Sequence, residues 1–497
     1  MNNNIYNRMA KGVAWIASLR ILLLIFNFLS LFVLARCLDS FDFGLIGMGF
    51  VVVASVRPFT KIGVFSALVQ KQEGINKFLD TAWTMGIVQS CAVYGVILFL
   101  NPYISDFFNA PYLRRVIPVL GLLLPLDAFA NIGIVYFTKE LKFKKISQYF
   151  LWGYLANFSV TIISAYLLRN FWAIVLGVLA EKIVCLIISY KMHSYRPRFV
   201  FQKDKARELF LFGRWVLFSS ILFALLTQVD NFFVGKLANV AALGFYQMAF
   251  RISNLLPKEI IAIIPRVIFP GFAKLKGNLE QIRSLYLRAL QLVVAMISFF
   301  AGILMFYPHE LTRLFLGSKW SPIVPVLRIF SLFGLIRVVL ITTHQIFLAM
   351  GKPAIRTKLQ IMQLCLLTLL IYPFAGNWQI SGIASAVTLS ALLACIFSLF
   401  IINRMLLISK YVIVKIIMFP VLAAGFMGVV LFAVRQVWTG LSFIGFGVFI
   451  LGGLGIYIVG LLGFDKFFNY RIKEGVSIVF KCLSTEFSKK EGHCFKH

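Results

Sequence analysis

Long apolar runs alternate with short polar segments along almost the whole chain. A helix that spans a bilayer needs about 20 mostly apolar residues, and charged residues, proline and glycine mark where such runs end. The pattern predicts two sets of six spans followed by two more. The predicted spans lie near residues 12–36, 43–69, 79–101, 113–137, 147–168, 171–192, 208–234, 240–272, 287–307, 322–350, 355–375, 380–403, 411–434 and 441–463.

Composition supports an all-α polytopic membrane protein of about fourteen transmembrane helices. The 497 residues are 60% hydrophobic and 13% charged, with a mean hydropathy of +0.90, whereas soluble domains carry about 25% charged residues. The first run is too long for a signal peptide and lacks its cleavage site, so we expect it to be retained as a span. The seven cysteines are dispersed, which predicts neither disulfides nor a metal site.

The distribution of basic residues predicts the orientation. Of the 49 Lys and Arg residues, 31 lie in the N-terminus, the C-terminal tail and alternate loops, and eight lie in the opposite loops. Basic loops stay in the cytoplasm, so both termini are expected there. The net charge of +31 is spread between apolar runs and forms no patch for nucleic acid.

An internal repeat divides the chain. At an offset of 200 residues, Gly44 aligns with Gly244 and Arg36 with Lys236. Six spans per repeat give both repeats the same orientation. We therefore predict two pseudo-symmetric six-helix bundles, at 1–200 and 201–405. Two additional helices at 406–463 and a basic cytoplasmic tail at 464–497 follow; helical spacing of apolar residues in the tail favours an amphipathic helix over a disordered segment.

Several cations lie well inside the apolar runs, where an ionised side chain costs about 3 kcal/mol or more and normally faces a cavity. They predict a central cationic cavity for an anionic headgroup such as a phosphate or diphosphate. Arginine suits this ligand because its planar fork binds oxyanions through two hydrogen bonds. The candidate headgroup-binding residues are Arg20, Arg57, Lys61, Arg251, Lys258 and Arg337. For Lys258, pairing with the neighbouring Glu259 is an equal alternative, as it is for Lys182 beside Glu181.

Two acids within spans are candidates for ion coupling. Asp127 lies in the middle of the fourth span, and Asp230 lies near the end of the seventh. A buried neutral acid or a salt bridge to an arginine is the stronger alternative for Asp127. Prolines next to the cations, Pro58 and Pro257, predict bent helices.

Six short motifs are spread along most of the chain. They are Val33-Leu34-Ala35-Arg36-Cys37-Leu38-Asp39, Phe43-Gly44-Leu45, Gln70-Lys71-Gln72-Glu73, Lys139-Glu140-Leu141-Lys142-Phe143, Gly317-Ser318-Lys319-Trp320 and Pro325-Val326-Leu327. These motifs resemble transporters of the Wzx type, in the multidrug/oligosaccharidyl-lipid/polysaccharide exporter superfamily. The resemblance is to the branch that contains the colanic-acid exporter.

The resemblance implies a flippase that moves undecaprenyl-diphosphate-linked oligosaccharide to the outer leaflet of a bacterial inner membrane by alternating access. It implies no cofactor. The expected partners are that lipid, the bilayer and other polysaccharide assembly proteins. A cation-coupled drug antiporter of the same superfamily is the alternative, although it would carry acids in its cavity. A polysaccharide polymerase or ligase would need a larger outer loop, and the chain has no enzyme signature.

Overall fold

The computed structural model describes residues 20, 22–60, 76–140, 142–261, 279–437 and 443–468. Helices account for most of these residues, and no strand occurs among them. The α-helices are α1 (Leu22–Cys37), α2 (Ser40–Thr60), α3 (Asn76–Phe107), α4 (Leu113–Gly121), α5 (Leu123–Phe129), α6 (Val135–Lys139), α7 (Phe143–Leu168), α8 (Trp172–Met192), α9 (Lys203–Leu237), α10 (Val240–Ser253), α11 (Leu279–Phe306), α12 (Val324–Ala349), α13 (Pro353–Leu406), α14 (Lys410–Val437) and α15 (Phe443–Phe468).

The protein is a multi-pass membrane protein. Ten of the described helices are long and apolar enough to cross a bilayer, or eleven if one bent pair counts as a single span. Their outward faces are apolar: Phe99, Leu167 and Leu369 are each at least 73% exposed, as expected for side chains that contact lipid. The count of fourteen spans stays a prediction, because parts of the chain lie outside the described residues; so does the segment predicted to form the amphipathic tail helix.

Two breaks in the helices bear on the predicted spans. The span predicted at 113–137 is broken, and its two parts meet at an angle of 66°. The helix ends where Ala130 adopts extended backbone angles (φ −58°, ψ 147°), and the Asn131 side chain accepts a hydrogen bond from the Gly133 N–H at 2.8 Å, which starts a new turn. In α13, Trp378 and Gln379 have non-helical backbone angles, and this break falls between the predicted spans 355–375 and 380–403.

Helices α2 and α10 cross in close contact at the two glycines that the repeat aligns. A Cβ atom on Gly44 would lie 1.7 Å from the Val240 carbonyl oxygen, and one on Gly244 would lie 1.8 Å from the Ser40 carbonyl oxygen. Only glycine permits this approach. Each glycine meets the other helix in the same way, which is the contact that two elements related by a two-fold axis make. The domain boundaries proposed from the repeat stay predictions.

The same end of the molecule is tied by hydrogen bonds between segments far apart in sequence. The buried Trp320 indole N–H donates to the Ala35 carbonyl at 2.8 Å, Lys319 Nζ donates to the Leu38 carbonyl at 2.7 Å, and Arg36 Nη2 donates to the Leu314 carbonyl at 2.9 Å. We call these contacts and the Gly44–Gly244 crossing the closed end.

Candidate functional site: two groups of cations

The first group of predicted site residues is a triad. The Asp127 carboxylate on α5 receives Arg57 Nη2 from the last turn of α2 at 3.0 Å and Lys182 Nζ from α8 at 2.8 Å. Asp127 is therefore a salt-bridge partner of an arginine, the alternative that the sequence favoured. With one acid between two cations, this Asp127 triad carries a net charge of only +1.

The second group, which we call the α10 cluster, consists of Arg20, Arg251, Lys258, Glu259 and Arg337. Arg20 Nη1 lies 3.5 Å from Glu259 Oε2. Lys258 lies within electrostatic range of Glu259, Arg251, Arg20 and Arg337. Asp230 also lies within electrostatic range of Arg337, so the four cations have two nearby carboxylates and a positive charge remains in excess.

Arg251 is the least compensated of these cations. Among the described residues its guanidinium makes no hydrogen bond and no ion pair. The residue is exposed, so the guanidinium is accessible to a ligand. The five N–H donors of Arg251 therefore have no hydrogen-bond partner among the described residues.

A break in the eighth predicted span arranges the cluster. α10 ends at Ser253, and helix resumes at residues 255–261. Pro257 explains the break, because a proline ring clashes with the preceding turn. Asn254 at the break accepts a hydrogen bond from Arg337 Nη1 at 2.9 Å, and Gly334 leaves room for the Pro257 ring, which lies 3.2 Å from where a Cβ would be. Contacts with α12 therefore fix the position of the break.

The two groups are neighbours. Tyr154 on α7 lies within electrostatic range of Glu181 and Lys182 on one side and of Arg20 and Glu259 on the other. The cations are also displaced from the closed end. Arg57 follows Gly44 by thirteen residues and Arg251 follows Gly244 by seven, which corresponds to about 20 Å and 10 Å along a helix.

Asp230 lies in a buried network and within electrostatic range of Arg337. Its carboxylate accepts the Tyr246 hydroxyl at 2.8 Å and Asn231 Nδ2 at 3.2 Å, and its side chain is buried. Asn231 in turn accepts Gln247 Nε2 at 3.1 Å. This network joins α9 to α10, and the coupling role suggested for Asp230 stays a prediction.

The structure brings together four of the six predicted headgroup residues in the α10 cluster and puts Arg57 in the triad. Lys61 lies outside the described residues. Two participants were missed: Glu259 as the partner of Arg20, and Lys182 as a partner of Asp127. Glu181 instead accepts Asn157 Nδ2 at 2.8 Å. The feature of the sequence that could have identified Glu259 and Lys182 is the position of each residue in the middle of an apolar run.

A separate apolar groove of about 600 Å³ lies between α3 and the start of α9. Its only cation is Arg207. A single charge does not make a binding site for a diphosphate, so the α10 cluster remains the better candidate.

Comparison with known families agrees with this architecture. Residues 33–325 match the family described as polysaccharide biosynthesis protein. The lipopolysaccharide biosynthesis protein WzxC of Escherichia coli K12 is 28% identical over 413 residues, which cover 81% of this chain and 82% of that protein. The teichuronic acid biosynthesis protein TuaB of Bacillus subtilis 168 is 25% identical over 298 residues, 59% of this chain and 61% of that protein.

Solved structures share the fold. The lipid II flippase MurJ in an inward closed conformation superposes with a TM-score of 0.73 at 15% identity and covers 91% of this chain and 98% of its own. An inward-facing multidrug transporter of the MATE family superposes with a TM-score of 0.61 at 15% identity, covering 78% of this chain and 97% of its own.

Proposed function

Because this chain belongs to the polysaccharide biosynthesis protein family, we propose that it is a lipid-linked oligosaccharide flippase. Its substrate would be an undecaprenyl-diphosphate-linked oligosaccharide, moved from the cytoplasmic to the outer leaflet by alternating access. We place the protein in the bacterial cytoplasmic membrane, with both termini in the cytoplasm. Other polysaccharide assembly proteins are proposed partners.

One observation carries the proposal: four cations of the α10 cluster lie close together and outnumber the acids near them in an otherwise apolar helical protein. A diphosphate supplies the negative charge that the cluster lacks. Two opposite charges 4 Å apart attract by about 4 kcal/mol at an effective dielectric constant near 20, and the guanidinium groups of Arg251 and Arg337 can each give two parallel hydrogen bonds to phosphate oxygens. The names of the relatives, which refer to lipopolysaccharide and teichuronic acid, support the same substrate class.

Alternating access also requires that the pathway is closed on one side of the binding site, and the closed end meets this requirement. The glycine crossing and the hydrogen bonds of Trp320, Lys319 and Arg36 hold the helices together at one end, while the cations lie at least two helical turns away. A headgroup therefore enters from the opposite end. Release on the other side requires these closed-end contacts to break and equivalent ones to form beyond the cations.

The alternative, a cation-coupled drug antiporter of the same superfamily, fits the charges less well. A cationic drug needs uncompensated acids. Here Asp127 is shared by two cations, Glu259 lies among four, and Asp230 is engaged with Tyr246 and Asn231. An enzyme of polysaccharide transfer is disfavoured because the named relatives include a transport protein, ExoT of Rhizobium meliloti.

The test is transport with cluster variants. In a strain that lacks the gene, the lipid-linked sugar accumulates on the cytoplasmic side, and the wild-type protein restores surface polymer. We expect Arg251→Ala to abolish restoration while the protein still inserts, because hydrogen bonds to charged groups contribute about 1.5–3 kcal/mol each. Arg57→Ala is expected to reduce export as well.

Arg328→Ala is the matched control. Arg328 lies on α12, nine residues before Arg337, and its side chain is exposed, so its loss removes one positive charge from the same helix without changing the cluster. We expect it to restore export fully. Normal export from Arg251→Ala and Arg337→Ala at wild-type protein levels would contradict the proposed headgroup site.

A further inference from the structure

Glu259 forms an ion pair with a cation of the α10 cluster, and this partner is distant in the chain. The ion pair with Arg20 joins the first helical region to the segment after the break in α10, across 239 residues. Both side chains are largely buried, at 28% exposure for Arg20 and 12% for Glu259. The pair therefore bridges two parts of the protein at the place where the headgroup is proposed to bind.

The geometry of this pair differs from that of the Asp127 triad. Asp127 receives two cations at 3.0 Å and 2.8 Å, within the range of strong charge-assisted hydrogen bonds. The Arg20–Glu259 distance is 3.5 Å, which is longer than that range. The carboxylate is thus close enough to offset charge but is not firmly bonded, and a ligand with shorter contacts can replace it.

We propose that Glu259 is a resident counter-anion that occupies Arg20 in the unloaded protein and that the incoming diphosphate displaces. This inference rests on the proposed function, because it assumes that the α10 cluster binds the headgroup. Displacement breaks the ion pair between Arg20 and Glu259, so ligand binding and the loss of this contact become one event. When the ligand leaves, Glu259 recovers Arg20.

Displacement by charge also makes the site selective. A polyprenyl monophosphate carries about 1.5–2 negative charges at pH 7, enough to replace the single charge of Glu259, but its one phosphate cannot contact all four cations. A diphosphate carries more charge and more acceptor oxygens, and it gains from Arg251, Lys258 and Arg337 as well. The cluster should therefore prefer polyprenyl diphosphates to polyprenyl monophosphates.

The test measures equilibrium binding of farnesyl diphosphate and farnesyl monophosphate to the purified full-length protein in lipid nanodiscs. Glu259→Gln keeps the shape of the side chain and removes the competing charge. We expect it to bind farnesyl diphosphate about tenfold more tightly than the wild type, the equivalent of losing one charged competitor. The preference for diphosphate over monophosphate should narrow, because the monophosphate no longer has to displace a charge.

Glu181→Gln is the matched control, since Glu181 also precedes a lysine in a span but accepts a hydrogen bond from Asn157 and not from a cation. Its affinity should stay within about twofold of the wild type, because it competes for no cation. Arg20→Gln should weaken the binding of farnesyl diphosphate. In this variant, Glu259→Gln should raise the affinity by less than it does in the wild type.

The outcomes separate the two claims. If Arg251→Ala weakens binding but Glu259→Gln leaves the affinity unchanged or lowers it, the counter-anion role is overturned and the headgroup site stands. If Arg251→Ala and Arg337→Ala bind farnesyl diphosphate as tightly as the wild type, the headgroup site itself is overturned, and the counter-anion role with it.

Discussion

At the scale of single residues, the cations differ in how the protein compensates them. Arg57 shares Asp127 with Lys182, so its charge is part of the folded structure. Arg251 has no described protein partner and lies within electrostatic range of Lys258, so repulsion between like charges costs stability in the unloaded protein. A charge that destabilises the fold is typical of a binding site that trades stability for function.

This difference predicts opposite effects of two substitutions. Arg251→Met keeps an unbranched side chain and removes the uncompensated charge, so it should raise the melting temperature of the detergent-solubilised protein while abolishing diphosphate binding. Asp127→Asn leaves Arg57 and Lys182 close together without a shared acid, so it should lower the melting temperature. Because Arg57 is half exposed, we expect a loss of only about 1–2 kcal/mol. Melting curves without ligand check both, and stabilisation by Asp127→Asn would contradict the triad.

Acid–base neighbours in the sequence did not become partners in the structure. Adjacent residues on a helix point in different directions, so Lys258 and Glu259, or Glu181 and Lys182, cannot face each other closely. The partners that do form, Arg20 with Glu259 and Asp127 with Lys182, come from different helices. The composition of the site could be predicted from charges within apolar runs, but the pairing depends on how helices pack, which one sequence does not specify.

His193, in the segment between α8 and α9, gives a residue-scale prediction about pH. Burial lowers the pKa of the His193 imidazole, and its Nδ1 accepts the Tyr195 backbone N–H at 3.1 Å. Glu140 opposes this shift, while Lys142, Lys145 and Arg196 add to it. The unfolded segment therefore takes up the proton first, and the native contact loses stability as the pH falls through the ordinary histidine pKa of about 6.5.

Hydrogen exchange of the backbone amides at 193–201 measures this effect. After correction for the intrinsic rate, protection in the wild type should fall between pH 7.5 and 5.5. His193→Phe retains an aromatic ring to stack on Tyr136, whose ring lies 5.3 Å away, and removes the titrating group. Its protection should not change with pH over this range. An equal loss of protection in both proteins would assign the effect to another group.

At the scale of helices, the crossing of α2 and α10 brings two helix backbones into close contact at Gly44 and Gly244. The repeat in the sequence aligned Gly44 with Gly244, but it did not indicate that the two residues touch. The breaks in the helices were partly predictable: Pro257 marks the end of α10, whereas the 66° bend at Asn131 depends on that side chain capping Gly133 and on the Asn131 N–H reaching Ser189 Oγ at 2.8 Å. A local pattern shows a proline but not a tertiary cap.

Gly44→Ala should open the closed end. Its Cβ would meet backbone atoms of Val240, which cannot rotate away, so the helices must separate at a cost of about 1–3 kcal/mol. Cys37, a free cysteine at the end of α1, reports this opening. We expect its alkylation by a membrane-impermeant reagent, followed by peptide mass spectrometry, to be faster in the variant than in the wild type.

Gly95→Ala on α3 is the control for this substitution, because no atom lies within 4 Å of the added Cβ. Alanine is favoured over glycine in a helix by about 1 kcal/mol, so this variant should be as stable as the wild type or slightly more so. Its Cys37 should react at the wild-type rate. If Gly44→Ala behaves like Gly95→Ala, the glycine crossing does not hold the closed end.

At the scale of the whole molecule, the distribution of basic residues and the position of the closed end favour the same orientation in the membrane. The cations of the α10 cluster lie away from the closed end, and most loop Lys and Arg residues are predicted on the side opposite to it. With the proposed orientation, the cluster is open towards the cytoplasm, where a lipid-linked oligosaccharide would be loaded. The fold class follows from apolar runs alone, whereas which end is closed depends on packing at Gly44, Gly244 and Trp320.

Reporter fusions test this orientation directly. Alkaline phosphatase fused after Leu316, in the closed end, should be active because that segment is predicted to face the outside. Green fluorescent protein fused after Gly351, just before the basic residues Lys352, Arg356 and Lys358, or after His497, should fluoresce because both positions are predicted to be cytoplasmic. The reverse exchange of reporters at each position should give no signal. Active phosphatase after Gly351 together with fluorescence after Leu316 would invert the molecule, and the α10 cluster would then be open on the side from which a flippase releases its lipid.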